Sequence, residues 1–135
     1  EGSHVIPALI RKFHDAKISG ASEVVMWGTG KPRREFLHVD DLADATVLVM
    51  EKYNEPELIN LGAGEDISIG DLARKIGEIV GFKGEVVHDT SKPDGVEYRI
   101  LDSSKVKALG WRPSINLDKG LSKTYQWYLY NIEST

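Results

Sequence analysis

The sequence has no cysteine among its 135 residues, which excludes disulfide bonds, thiolate metal ligands and a thiol nucleophile. Long apolar runs are lacking too: segments such as Ala45 to Met50 are far shorter than the roughly 20 residues of a membrane-spanning helix. No secretory signal is recognisable. Basic residues are not in excess, because 17 Lys and Arg stand against 21 Asp and Glu and give a net charge of −4. We therefore expect a cytoplasmic protein that binds neither membranes nor nucleic acid.

Helical and strand patterns alternate along the chain, which is typical of an α/β protein. Five helices are predicted. The first runs from its cap Ser3 to Phe13, the second is capped by Asp40 and Asp41 and runs through Val49, and the third runs from its cap Ser68 to Val80 and is stopped by Gly81. The last two are Ser103 to Leu109 and Leu117 to Ile132. The predicted strands are Glu23 to Trp27, Arg34 to Val39, Leu58 to Leu61, Glu85 to His88, and Tyr98 to Leu101. Because the first helix begins almost at the first residue, we expect the chain to be a piece cut from a longer protein.

Two short glycine motifs and four histidines are candidates for phosphate or metal binding. Gly28-Thr29-Gly30 and Gly62-Ala63-Gly64 each lack the third glycine and the following helix of a dinucleotide-binding loop. We therefore predict turns there, with a hairpin turn at Gly30 to Pro32. The histidines, at positions 4, 14, 38 and 88, do not have the spacing of metal ligands, so we expect no metal site.

The basic residues Lys31, Arg33 and Arg34 lie close to Trp27 in sequence. Arginine can grip a diphosphate through two parallel N–H donors, and an indole offers an apolar face to a sugar or a base. A solvated basic turn explains the same composition. His4, at the start of a helix, likewise has two interpretations: a catalytic acid or a surface residue. The residues alone leave both pairs of alternatives open.

Three longer segments of the sequence resemble a known protein family and so indicate which of these roles apply. Ser3-His4-Val5-Ile6-Pro7-Ala8-Leu9, the stretch from Trp27 to Asp41 and Ser91-Lys92-Pro93-Asp94-Gly95 resemble the C-terminal portion of the GDP-L-fucose synthase family, a branch of the extended short-chain dehydrogenases/reductases. The resemblance implies an α/β fold, namely the C-terminal substrate-binding part of an NAD(P)-binding Rossmann-like protein, over residues 1–135. It also implies that an N-terminal NADP-binding half is missing, because no Tyr in this sequence is followed four places later by Lys.

The family's reaction is the NADPH-dependent epimerisation of GDP-4-keto-6-deoxy-D-mannose at C3 and C5, followed by reduction at C4 to GDP-L-fucose. The resemblance therefore implies a GDP-sugar as partner and NADP as cofactor, the latter bound mainly by the missing half. It implies that the full-length protein is a homodimer and that the isolated chain is inactive. The family's catalytic base is a cysteine, so here it must lie outside this sequence.

Individual roles also follow from the resemblance. His4 matches the family's catalytic acid and a contact to the cofactor. The substrate-binding positions are Val5 with its neighbour Ile6 at the pocket floor, Lys12 near the diphosphate, Trp27 and Arg34 on the GDP-sugar, Asp94 and Arg99. His14, His38 and His88 are expected to be structural.

Two other functions stay open. Arg-Glu-Phe and Val-Asp-Asp, from Arg34 to Asp41, suit any nucleotide-sugar epimerase or dehydratase of the extended family, whereas Ser-His-Val-Ile-Pro suits the GDP-L-fucose synthases. A free-standing module that binds a GDP-sugar without chemistry is the third possibility.

Overall fold

Helices and strands alternate along residues 4–132, the part of the chain that this computed structural model describes, which confirms the α/β class. The helices are α1 Val5–Ser19, α2 Val39–Lys52, α3 Ile69–Val80, α4 Ser104–Ala108 and α5 Leu117–Ile132. The strands are β1 Glu23–Trp27, β2 Arg33–Glu35, β3 Asp66–Ser68, β4 Glu85–Asp89 and β5 Tyr98–Arg99. None of the helices in this described part is both long enough and apolar enough to cross a membrane.

The strands form two small sheets. β1 and β4 pair in parallel, from Glu23 opposite Glu85 to Trp27 opposite Asp89. In the second sheet β2 lies between β3, which is antiparallel to it, and β5, which is parallel to it. The predicted hairpin turn at Gly30 to Pro32 is therefore wrong, because β1 and β2 belong to different sheets. Gly30, at φ 74°, helps to redirect the chain, and its carbonyl accepts a hydrogen bond from Gly70 at the start of α3.

The main core lies between α1, α3, α5 and the buried face of β1. Its buried members are Leu9, Ile10, Phe13, Val24, Met26, Leu72, Ala73, Ile76, Val80, Leu121 and Tyr125. Phe13 is fully buried and meets Phe82 edge to face, with 5.6 Å between ring centroids. Gly77 on α3 faces that ring so closely that a methyl group there would press against it. This packing fixes α1, and with it the position of His4 at its first turn.

The helix boundaries agree with the sequence signals in α3 but not in α2. Ser68 caps α3 by accepting a hydrogen bond from the Asp71 amide, and Gly81 ends the helix in the left-handed conformation, as predicted. The expected cap of α1, Ser3, lies outside the described residues. In α2 the cap is the His38 ring, which accepts from the Asp40 amide, so the prediction that Asp40 and Asp41 cap this helix is wrong. Asp41 turns inward instead.

The predicted strand at Leu58 to Leu61 is also wrong. This segment has no partner strand among residues 4–132, and a strand requires a hydrogen-bonded neighbour. Ile59 and Leu61 pack against a smaller core of Ala45, Val106 and Trp111, whereas Leu58 is 92% exposed. The sequence analysis missed β3, whose three residues carry no apolar alternation. It also extended β2 and β5 beyond the pairing that the second sheet provides.

The buried carboxylate of Asp41 joins α2 to the segment before α5. One oxygen accepts hydrogen bonds from the Ser114 amide and hydroxyl, and the other accepts from the Ile115 amide at 2.9 Å. Burial alone raises the pKa of Asp41, but the hydrogen bonds from Ser114 and Ile115 outweigh burial and hold the pKa below its usual value.

We expect Asp41→Asn to lower the free energy of unfolding by about 1–3 kcal/mol at pH 7, because an amide NH2 replaces one of the acceptors. The group's folded pKa is depressed, so its contribution is present above the unfolded value of about 3.9 and is lost as pH falls through the folded value. Urea unfolding at pH 7 and in acid should show the difference from the parent shrinking at low pH. The exposed Asp15→Asn serves as the control, and an Asp41→Asn difference that is constant with pH would contradict this account.

Candidate functional site

A cavity of about 790 Å3 opens where the first turn of α1, the end of β1, β2 and the loop that leads into β5 meet. Six of the seven site residues predicted from the sequence line it: His4, Val5, Trp27, Arg34, Asp94 and Arg99. Ile6 lines it as well. These residues span 96 positions of the chain, from 4 to 99, so the fold brings together what the sequence separates. Their individual roles stay predictions.

The ends of secondary-structure elements position these side chains. His4 is the residue immediately before α1, in extended conformation, and its side chain does not cap the helix. Trp27 is the last residue of β1 and points away from the core, with 71% of its surface exposed. The next residue, Gly28, has φ 77°, and a Cβ there would clash with the Asp94 carboxylate. Glycine at position 28 therefore lets the Asp94 loop close against the end of β1.

Two arginines lie side by side on adjacent strands. Arg34 of β2 is directly opposite Arg99 of β5 in the parallel register, and both line the cavity. Within residues 4–132 neither guanidinium has a carboxylate within salt-bridge distance. Adjacent like charges on a sheet are unfavourable unless a counter-charge lies between them. The pair is therefore a candidate site for an anion.

The two carboxylates of the cavity are already engaged. Glu35 accepts hydrogen bonds from the Leu101 amide at 2.7 Å and the Gly64 amide at 3.1 Å. Asp94 accepts from both the amide and the hydroxyl of Thr29, and the hydroxyl contact is the largest cause of a pKa below the usual value for an aspartate. Neither carboxylate therefore neutralises Arg34 or Arg99 directly.

The basic cluster predicted from Lys31, Arg33 and Arg34 is not a cluster in the structure. Successive residues of a strand point to opposite faces, so Arg33 and Arg34 diverge. Arg33 donates from Nε to the carboxylate of Asp66 on β3, outside the cavity. Only Arg34 contributes to the cavity, and Lys31 does not line it.

Lys12 also lies outside the lining of this cavity. It is about two helical turns along α1 from His4, and its ammonium donates to the Val25 carbonyl of β1. Its surroundings are a separate groove between α1 and α5 that includes Trp127 and Tyr128. The contact of Lys12 with a diphosphate therefore stays a prediction.

The other three histidines make internal contacts. The His14 ring is 3.1 Å from the Tyr125 hydroxyl, His38 caps α2, and the His88 ring is 3.2 Å from the Gly28 carbonyl. In the described part of the chain, no three His, Asp or Glu side chains form a group that could hold a metal ion.

Thr29 and Glu35 also organise this cavity, although neither was predicted from the sequence. In the sequence, Thr29 is recognisable only as the residue between Gly28 and Gly30, and its hydrogen-bond partner Asp94 lies 65 residues away. Glu35 lies inside a recognised segment, but its bonds to the amides of Gly64 and Leu101 have no local sequence signal.

Comparison with known proteins identifies the fold and the family. Residues 1–62 match the NAD dependent epimerase/dehydratase family. A curated Arabidopsis thaliana protein named putative GDP-L-fucose synthase 2 is 56% identical over 98% of this chain. The first part of this chain is thus similar to the NAD dependent epimerase/dehydratase family, and nearly the whole chain is similar to a GDP-L-fucose synthase. The recognised resemblance to the extended short-chain dehydrogenases/reductases and the predicted fold class are thereby confirmed.

Other family members give the same result and show how much of the family's length is present. The GDP-L-fucose synthase of Escherichia coli is 50% identical over 96% of this chain. The crystal structure of a GDP-L-fucose synthetase from Naegleria fowleri superimposes on 99% of it with a TM-score of 0.91 and 33% identity. The chain spans only 40%, 43% and 41% of the lengths of these three proteins, respectively. A second Naegleria structure is described as bound to NADP.

The described residues do not by themselves fit a dinucleotide. A phosphate cradle in this fold class requires a glycine-rich turn that opens directly into a helix. Gly28 to Gly30 lead instead into β2, and Gly62 to Gly64 lead into β3. Among the described residues, only His4 was predicted to contact this cofactor, and it lines the cavity that Arg34 and Arg99 also line.

Proposed function

We propose that this chain is the GDP-sugar-binding part of a GDP-L-fucose synthase. The observation that carries the proposal is the pair Arg34 and Arg99, adjacent on two strands of one cavity with no carboxylate partner within residues 4–132. A diphosphate has the charge and the spread of oxygens to bridge two guanidinium groups. The named relatives that match almost the whole chain support the choice of a GDP-sugar.

The remaining cavity residues suit the sugar and the nucleoside. Trp27 presents an exposed indole face beside Arg34, and such a face packs against a sugar ring or a base. After its two bonds to Thr29, each carboxylate oxygen of Asp94 still has a free lone pair, so Asp94 can accept a hydrogen bond from a sugar hydroxyl. Val5 and Ile6 supply the apolar floor.

His4 is proposed to act as the acid in epimerisation. A 4-keto group acidifies the C–H bonds at C3 and C5, because the carbanion is delocalised into an enolate. Inversion requires that a base removes the proton from one face and that an acid returns a proton to the other. A histidine ring that lines the cavity can supply that proton from its imidazolium form and is left as neutral imidazole. The base is assigned to residues outside this chain, which has no cysteine.

The second half of the reaction is assigned outside this chain as well. Reduction at C4 takes its hydride from NADPH, and no phosphate cradle is present among residues 4–132. Two features support a missing nucleotide-binding part: the segment from Leu58 to Leu61, which pairs with no strand among residues 4–132, and the exposed apolar side chains Val39, Val47 and Met50 of α2. We propose that the complete protein is a homodimer that carries this part, and that the isolated chain does not oxidise NADPH.

Calorimetric titration of the 135-residue chain with GDP-L-fucose, GDP and UDP-glucose tests the proposal. We expect GDP-L-fucose and GDP to bind at one site and to compete, and UDP-glucose to bind more weakly. The exposed Arg74→Ala, outside the cavity, should bind like the parent. Equal binding of UDP-glucose would favour another nucleotide-sugar enzyme of the family, and the absence of binding by all three would contradict the assignment.

A further inference from the structure

We infer that Thr29 is a positioning residue that holds the Asp94 carboxylate as an acceptor at the wall of the cavity. Two hydrogen bonds join them: the Thr29 amide donates to Asp94 Oδ1 at 2.8 Å, and the Thr29 hydroxyl donates to Asp94 Oδ2 at 2.6 Å. Both carboxylate oxygens are thus fixed by one residue. The inference deepens the proposed function and rests on it, since Asp94 is proposed to accept a hydrogen bond from a hydroxyl of the GDP-sugar.

The direction of the hydroxyl bond is fixed by a third contact. Thr29 Oγ1 also accepts a hydrogen bond from the Lys31 amide, at 3.2 Å. A hydroxyl has one proton, so with a lone pair occupied by Lys31 the proton goes to Asp94. The Thr29 hydroxyl is therefore the donor, and the Asp94 carboxylate the acceptor, in the bond between them.

The loop that carries Asp94 is anchored at its root but exposed along its length. The Gly28 amide donates to the Asp89 carbonyl at 3.0 Å, and the Ser91 amide and hydroxyl donate to the Asp89 carboxylate, which together fix the beginning of the loop. Residues 90–100 are all exposed. The far end of the loop is anchored by the Arg33 amide, which donates to the Glu97 carbonyl at 2.8 Å. Between these two anchors the loop has little buried surface, so the bonds to Thr29 are the hydrogen bonds that hold Asp94 in place.

The same two bonds favour the charged form of Asp94. The Thr29 hydroxyl and amide are the two largest causes that hold the Asp94 pKa below its usual value, with smaller contributions in the same direction from Lys31 and His88. Removing the hydroxyl leaves the amide, Lys31 and His88 in place. The Asp94 pKa is therefore a direct reporter of the hydroxyl bond, independent of any ligand.

The test uses three variants of the 135-residue chain. Thr29→Val removes the hydroxyl and keeps the branched shape, and Thr29→Ser restores the hydroxyl. Thr124→Val is the matched control, because its hydroxyl donates only within α5, to the Gly120 carbonyl, and it does not line the cavity. For each, the Asp94 carboxyl carbon is titrated by NMR, and GDP-L-fucose is titrated by calorimetry.

We expect Thr29→Val to raise the Asp94 pKa and to weaken GDP-L-fucose binding about threefold to tenfold, the range of one hydrogen bond. Thr29→Ser and Thr124→Val should match the parent in both measurements. An Asp94 titration that coincides with the parent's in Thr29→Val, or an unchanged affinity beside a raised pKa, overturns the inference. If no protein, the parent included, binds GDP-L-fucose while the Asp94 pKa still rises, the proposed function has failed and the hydrogen-bonded pair is established without a role in substrate binding.

Discussion

Replacing His4 by glutamine is expected to slow deuterium incorporation at C3 and C5 of the 4-keto sugar by about 100- to 10,000-fold, the range for loss of a general acid. The measurement requires a complete active site. A chimera in which this chain replaces the matching C-terminal part of the Escherichia coli GDP-L-fucose synthase provides one, because the two are 50% identical over 96% of the chain. Glutamine keeps polarity and approximate size but cannot return a proton to carbon.

Two features of the structure make this substitution informative. The His4 side chain is exposed and does not cap α1, and the contacts of this helix with the main core are made by the residues that follow it, from Val5 onwards. The affinity of the chimera for GDP-L-fucose and its melting temperature should therefore stay close to the parent's. Exchange at both carbons at the parental rate would show that His4 is not the acid. Binding with no exchange in the unsubstituted chimera would favour the non-catalytic module.

Replacing Arg34 by alanine is expected to weaken GDP-L-fucose binding to this chain by about 1.5–3 kcal/mol, or roughly 10- to 150-fold. The guanidinium loses its bonds to the diphosphate, and Arg99 is left to hold the anion alone. Arg34→Lys should recover only part of the loss, because an ammonium is a point charge without the planar two-donor fork. Calorimetric titration of the parent and both variants, with thermal unfolding in parallel, measures this.

Arg33 offers a matched control one residue away. It lies on the opposite face of β2 and pairs with Asp66, so Arg33→Ala should affect stability modestly and leave the affinity unchanged. Equal affinities for the parent, Arg34→Ala and Arg34→Lys, with unchanged melting, would remove Arg34 from the site. A loss of affinity in Arg33→Ala as large as in Arg34→Ala would instead indicate a general effect on the second sheet.

Local signals in the sequence determined much of the fold. Ser68 and Gly81 predicted both ends of α3 because a capping hydroxyl and a left-handed glycine act within one helical turn. The alternation in β1, where Val24 and Met26 are buried and Val25 and Trp27 are not, likewise gives a strand without knowledge of its partner. The family resemblance predicted six residues that line one cavity, five of which lie inside the three segments that carry the resemblance.

The tertiary structure alone decided which of these pieces pair. Leu58 to Leu61 has the composition of a strand, but no neighbouring backbone within residues 4–132 completes its hydrogen bonds, whereas the polar residues of β3 find a partner in β2. Arg33 and Arg34 are neighbours of the same residue type, and they differ because they lie on opposite faces of β2. The contacts of Asp94 with Thr29, and of Glu35 with Leu101, join residues 65 and 66 positions apart. Such pairs depend on where whole elements pack, and local propensity carries no information about that packing.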